Sequence, residues 1–201
     1  TVNRGGNTFV LNPKALTQVP NLIPKINGRE ARRSDMLWAI INKHHNGLNI
    51  KSAPFPVQHT GRVQNEKTLD LEKVQDEIMG SALYAGLQEF LLTKKQHNLV
   101  FTPTDISDVW QATRNARNTR LARLTLSYYR INGLAQALSK YPELTELSEY
   151  LTRTFNSGAI EKLKGQVEQM NEHHIYDFLN QIVPQSSRFA NAHKKTVEII
   201  K

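Results

Sequence analysis

The spacing of apolar positions changes character once along this chain. From about Thr68 onward it is helical: Leu71, Val74, Ile78, Leu83, Leu87, Phe90 and Leu91 fall at i, i+3, i+4 steps, which predicts a helix burying one stripe. Thr102-Pro103-Thr104-Asp105 interrupts that pattern and caps a second long helix, carrying Ile106, Val109, Trp110, Leu121, Leu124 and Leu126 to about Tyr141. Pro142 suits the first position of a third helix with Leu144, Leu147, Tyr150 and Leu151. Asn156-Ser157-Gly158 predicts a turn, followed by helices from about Ala159 to His173 and from Ile175 to Ile182, with Pro184 before a last one.

Residues 1–62 follow a different pattern. Thr8 to Leu11 are β-formers, closed by the turn opener Asn12-Pro13. Pro20, Pro24 and Gly28 predict an irregular loop over Thr17 to Glu30. Ser34 is a suitable N-cap for a helix running from Asp35 to near Gly47, with Leu37, Ile40, Ile41 and His44 on its core-facing side. Leu48, Ile50, Ala53, Phe55 and Val57 then alternate, and Pro54 and Pro56 make this a kinked or edge strand that delivers His59 to a loop. The expected fold class is mostly α: a short α/β segment over 1–62 followed by an all-α helical bundle domain over 63–201.

Composition narrows the class without naming a function. The chain has 201 residues with 39% hydrophobic and 22% charged positions, which is ordinary for a globular protein. It contains no cysteine, so disulfides, thiolate metal sites and cysteine nucleophiles are excluded, and a reducing cytoplasmic location is the expectation. No apolar run reaches the roughly twenty residues that a membrane-spanning helix needs. The net charge of +8 is concentrated at one end: residues 1–62 carry nine Lys or Arg against Glu30 and Asp35, whereas the remainder is nearly balanced. Such a surplus suits an anionic ligand.

Candidate chemistry lies in three pieces: Arg4-Gly5-Gly6-Asn7-Thr8, Arg32-Arg33-Ser34-Asp35-Met36-Leu37-Trp38, and Pro56-Val57-Gln58-His59. Asp35 falls in the first turn of the predicted helix, where the dipole favours a carboxylate. A Gly-Gly pair before a strand, an acid opening a helix some thirty positions later and a His after a further strand make an ordered set. This set resembles the second half of a GT-A type glycosyltransferase domain, as in the family 2 transferases and the polypeptide GalNAc transferases. The resemblance covers about the first sixty residues.

The resemblance implies Gly5 and Gly6 at the sugar-donor wall, Asp35 as acceptor-side carboxylate or catalytic base, and Asn7, Arg32, Arg33 and Trp38 as donor- or acceptor-binding neighbours. It also implies His59 at the divalent metal, Mn²⁺ or Mg²⁺, with a nucleotide sugar and a hydroxyl-bearing acceptor as partners. Ser34 stands where that family usually has Glu, and no Asp-x-Asp or Asp-x-His pair occurs anywhere in the sequence. The expectation is therefore a C-terminal part of a longer transferase, with the nucleotide-binding half outside this sequence. Taken alone, the chain is expected to be inactive and metal-free, since one imidazole does not retain these oxygen-preferring ions.

Two other classes stay open. Arg114, Arg117, Arg120, Arg123 and Arg130, with Asn115, Asn118 and Thr119 between them, make the second long helix polar almost all round, which suits a solvated face, a domain dock or a phosphate or glycan contact. With a sequence pI of about 9.7, this motivates a basic helical nucleic-acid-binding protein, although no helix-turn-helix, zinc-finger or aromatic-basic RNA module is recognisable. The third class is a helical interaction or scaffold protein using residues 1–62 as an arm. Tyr128, Tyr129 and Tyr150 suit either stacking on a sugar or base, or the core. His44 and His45 are adjacent, as are His173 and His174, so on a helix each pair diverges by about 100° and forms no two-ligand face.

Overall fold

Asp105 starts the longest helix with reciprocal bonds. Its backbone N–H donates to Thr102 Oγ1 at 3.2 Å, while its carboxylate accepts from the Thr102 amide at 3.0 Å and the Thr102 hydroxyl at 2.7 Å. Pro103 fills the first turn, where no N–H is required. In this computed structural model, which describes residues 23–44, 49–50, 71–94 and 101–181, the elements are two short strands and a series of helices. They are β1 (Lys25–Ile26), β2 (Arg29–Glu30), α1 (Ser34–His44), α2 (Leu71–Lys94), α3 (Pro103–Leu138), α4 (Thr145–Thr154) and α5 (Ser157–Glu168). Residues 172–181 are also helical. The expected strands at Thr8–Leu11 and around Phe55, and the helix after Pro184, lie outside the described residues.

The mostly helical architecture agrees with the expected class, with differences at particular places. The loop expected over Thr17 to Glu30 contains a β-hairpin. Lys25 pairs with Glu30 and Ile26 with Arg29 across the two-residue turn Asn27-Gly28. Both turn residues have positive φ, 52° and 75°, as a turn matched to strand twist requires. Pro142 belongs to a short 3-10 turn, Pro142–Leu144, ahead of α4 rather than to α4 itself. The helix that follows Asn156 begins two residues earlier than expected, at Ser157, because the Asn156 side chain caps it by accepting from Ala159 N–H at 2.8 Å. Its end falls at Glu168 rather than His173.

α2 is the central element. Rather than one stripe, it buries a continuous run from Ile78 to Leu83 and then Gly86, Leu87, Phe90 and Leu91, because it packs against α1 on one side and against α3 and α5 on others. Small residues allow the close approaches. A Cβ on Gly86 would lie 2.7 Å from the Thr113 amide nitrogen and 2.8 Å from its Cα. α1 is likewise buried all round, from Met36 through Asn42, rather than on one face. Buried Asn42 satisfies its amide by donating to the Trp38 carbonyl at 2.9 Å. One hydrophobic cluster runs from Ile26 and Leu37 through Leu83 and Val109 to Val167 and Leu179, so the described residues on either side of position 62 share a core.

The start of α3 carries a pH-dependent element of stability. Burial pushes the Asp105 carboxyl upward, but the Thr102 hydroxyl and amide and the Lys94 ammonium outweigh it, leaving the pKa below its ordinary value of 3.8. Lys94 bridges Asp105 and Asp108, each at 3.4 Å. A carboxyl depressed in the folded state contributes stability that is present above the unfolded value and lost as pH falls through the folded one. Asp105→Asn is therefore expected to lower the melting temperature at neutral pH. The difference from wild type should shrink below pH 3.8, which thermal melts across that range would check; a pH-independent difference would contradict it.

Candidate functional site

The site is the seat where the hairpin and the N-terminus of α1 meet α2. Arg29 forks onto Asp76, with Nε to Oδ1 at 3.0 Å and Nη2 to Oδ2 at 3.3 Å, and reaches Glu72 through Nη1 at 3.1 Å. This planar two-bond geometry fixes direction as well as charge. The Arg32 amide donates to the Asp76 carbonyl at 3.2 Å, and the Arg32 backbone rests on Gly80, where a Cβ would come within 2.7 Å of its carbonyl carbon and 2.9 Å of its nitrogen. The Ala31 amide donates to the Pro24 carbonyl at 2.8 Å, closing the hairpin base. The entry to α1 is thus held on α2 through both backbone and side chains.

Arg33 and Glu77 form the centre of this seat. The Arg33 guanidinium pairs directly with Glu77 through Nη2. The Arg32 guanidinium stands 3.9 Å from the same carboxylate, and Ser81 donates its hydroxyl to it at 3.2 Å. Arg33 has φ of 73°, a conformation that favours Gly or Asn, and its carbonyl accepts from the Leu37 amide at 3.0 Å. Arg33 therefore occupies the capping position expected of Ser34, which is instead the first helical residue. A glycine would adopt this backbone at less cost, but it could not provide the side chain that pairs with Glu77.

Asp35 lies in the first turn of α1, half-buried. Among the described residues its carboxylate has no hydrogen-bond or ion-pair partner. The two arginines before it are held by α2, whereas Asp35 is presented at the helix end. Trp38, expected beside the ligand, is 7% exposed and belongs to the hydrophobic core. Gly5, Gly6, Asn7 and His59 lie outside the described residues. No group of three or more metal-ligating side chains occurs among the described residues. His173 pairs with Asp177 at 3.4 Å, and His174 Nδ1 accepts from the Asn171 amide at 3.2 Å, so this adjacent pair points to separate partners.

The arginine series on α3 divides by role. Arg117 turns inward: its Nη1 donates to the carbonyls of Glu168 at 3.1 Å and Met170 at 2.7 Å, completing the C-terminal end of α5, and its guanidinium lies 5.5 Å from the centre of the Trp110 ring. Burial pulls its pKa down. Arg114, Arg123 and Arg130 are exposed. Arg120 is half-buried and donates to the Ala116 carbonyl at 3.3 Å, with no carboxylate within ion-pair distance among the described residues. Burial, followed by the charges of Arg33 and Arg123, pulls its pKa down as well, with the Glu77 carboxylate opposing them in part.

Two contacts fix the register of α2 against α3. Lys94 meets Asp105, and Gly86 backs onto Thr113. Nothing in the sequence spacing announced that Arg32 and Arg33 would meet Glu77, more than forty positions away. A search of family models, of curated proteins and of solved structures returns no match to this chain.

Proposed function

We propose that this chain supplies the acceptor side of a GT-A type glycosyltransferase that moves a sugar from a nucleotide-sugar donor to a hydroxyl acceptor. The observation that carries this reading is Asp35, a carboxylate without a partner among the described residues at the head of a helix whose entry is fixed by Arg29–Asp76, Arg33–Glu77 and the Gly80 contact. A general base must be held within hydrogen-bond reach of the proton that it takes, and the rigid seat supplies that positioning. Donor binding at Gly5 and Gly6, donor or acceptor contact at Asn7, and Mn²⁺ or Mg²⁺ near His59 belong to the same reading. So does a nucleotide-holding half acting with this chain. No described helix is long and apolar enough to cross a membrane.

Nucleic-acid binding is the weaker reading, because the helix that motivated it commits Arg117 to the core. The two readings separate in one experiment on the full-length natural protein. It is expected to release nucleoside diphosphate from a nucleotide sugar in the presence of a hydroxyl acceptor, whereas the 201-residue chain alone releases none. Absence of turnover over a panel of donors, accompanied by duplex binding that weakens steeply with salt, would replace the transferase reading with the nucleic-acid one.

A further inference from the structure

We propose that the hairpin made by the second half of α3 and by α4 is the interface of a two-fold symmetric homodimer, in which a second copy of this chain covers it. The association does not depend on any transferase activity.

Residues 125–155 make a helical hairpin with almost no interior. Only Ala135 and Ser148 are buried in it, where the Ser148 hydroxyl donates to the Ala135 carbonyl at 2.8 Å. None of its residues belongs to the hydrophobic cluster that joins α1, α2 and α5 to the first half of α3. Yet it holds five of the eight large hydrophobic side chains exposed among the described residues: Leu126, Tyr129, Leu134, Tyr141 and Leu147. Such a concentration of wet apolar surface marks a face that another surface covers.

Leu134 and Leu147 fall on one side of the hairpin. Each stands one position before the residue at which the two helices touch, Ala135 in α3 and Ser148 in α4, and in an antiparallel pair equal offsets turn to the same side. Half-buried Leu138 and Leu151, three positions after those two contact residues, turn to that side too and make its centre apolar. Five positions before the contact residues come Arg130 and Glu143, both exposed. Because the helices run in opposite directions, these lie about 8 Å from the contact level toward opposite ends of the face. The face is therefore basic at one end, apolar in the middle and acidic at the other. That pattern selects a second copy as the occupant. A two-fold axis lying in the face, across the line from Arg130 to Glu143, exchanges the ends and sets each Arg130 over the partner's Glu143, while the leucines close on one another. A nucleic acid would leave the leucines wet and meet Glu143 with like charge. Two hairpins stacked in this way share a four-helix core that neither has alone.

Sedimentation of the 201-residue chain over a range of micromolar concentrations provides the test. Wild type should dimerise, and Leu134→Asp should dissociate the dimer with helical content kept, because that side chain is 51% exposed in the single chain. Arg130→Glu and Glu143→Arg should each weaken dimerisation by about tenfold or more, since like charges then face each other. An equimolar mixture of those two variants should recover association close to wild type, because each mixed pair again sets Glu against Arg at both ends. Arg114→Glu changes the net charge as Arg130→Glu does but lies outside the hairpin, and should leave dimerisation unchanged. The mixture keeps the test valid if Leu134→Asp folds poorly. A wild type that stays monomeric at every concentration, or a dimer indifferent to the charge reversals, would overturn the proposal. So would a monomeric wild type whose melting temperature falls on Leu134→Asp, since another part of the same chain would then cover the face.

Discussion

Gly80→Ala should destabilise the protein by about 3 kcal/mol, the upper part of the overpacking range, and lower its melting temperature by roughly 6–12 °C. The added methyl would meet the Arg32 backbone, within 2.7 Å of its carbonyl carbon and closer still to its oxygen. Backbone cannot turn aside as a side-chain tip can, so the hairpin and the start of α1 must lift from α2. That movement would stretch the bond from the Arg32 amide to the Asp76 carbonyl, now 3.2 Å, and the nearby pairing of Arg33 with Glu77. Gly133→Ala is the control of opposite sign. It lies within α3, where a Cβ meets nothing within 4 Å, and Ala is the better helix former by about 1 kcal/mol. Thermal melts of both variants check the pair; a Gly80→Ala protein as stable as wild type would contradict the proposed seat.

Helices were legible where local signals agreed. Thr102-Pro103-Thr104-Asp105 combines a hydroxyl cap, a first-turn proline and a returning carboxylate, and α3 starts there. The hairpin was obscured because Pro20, Pro24 and Gly28 act as breakers, and its strands are only two residues each, too short for alternation to show. Asn27-Gly28 was the local signal for it.

The interior of α2 was harder to foresee for a different reason. Periodicity records one apolar stripe, whereas Gly80, Ser81, Ala82 and Gly86 are buried by neighbours that approach the backbone. Smallness carries no hydrophobic signal. Nor does sequence spacing distinguish Arg117, which completes the end of α5, from exposed Arg114 three positions earlier. That division depends on where α5 ends, a tertiary fact. The Asp35 position was legible, because a first-turn acid is a local feature; the Glu77 seat beneath it was not, because it joins residues more than forty positions apart.

The placement of Asp35 leads to the largest expected effect on activity. Asp35→Asn preserves size and leaves an acceptor in the first turn of α1, but removes the full charge and the ability to take a proton. If the carboxylate is the general base, turnover in the full-length protein should fall by about a hundredfold or more. Folding should change little, since no described partner is lost, and donor affinity should persist because the proposed reading puts the donor contacts at Gly5 and Gly6. A first-turn acid with no catalytic role contributes only about 0.3–1 kcal/mol through the helix dipole. Its loss would lower the melting temperature slightly and leave turnover intact. Turnover of the Asp35→Asn protein, measured with donor affinity and melting temperature on the same preparation, is therefore the deciding measurement. The transferase account predicts activity lost with affinity and stability kept, and wild-type turnover with a small fall in melting temperature would contradict it.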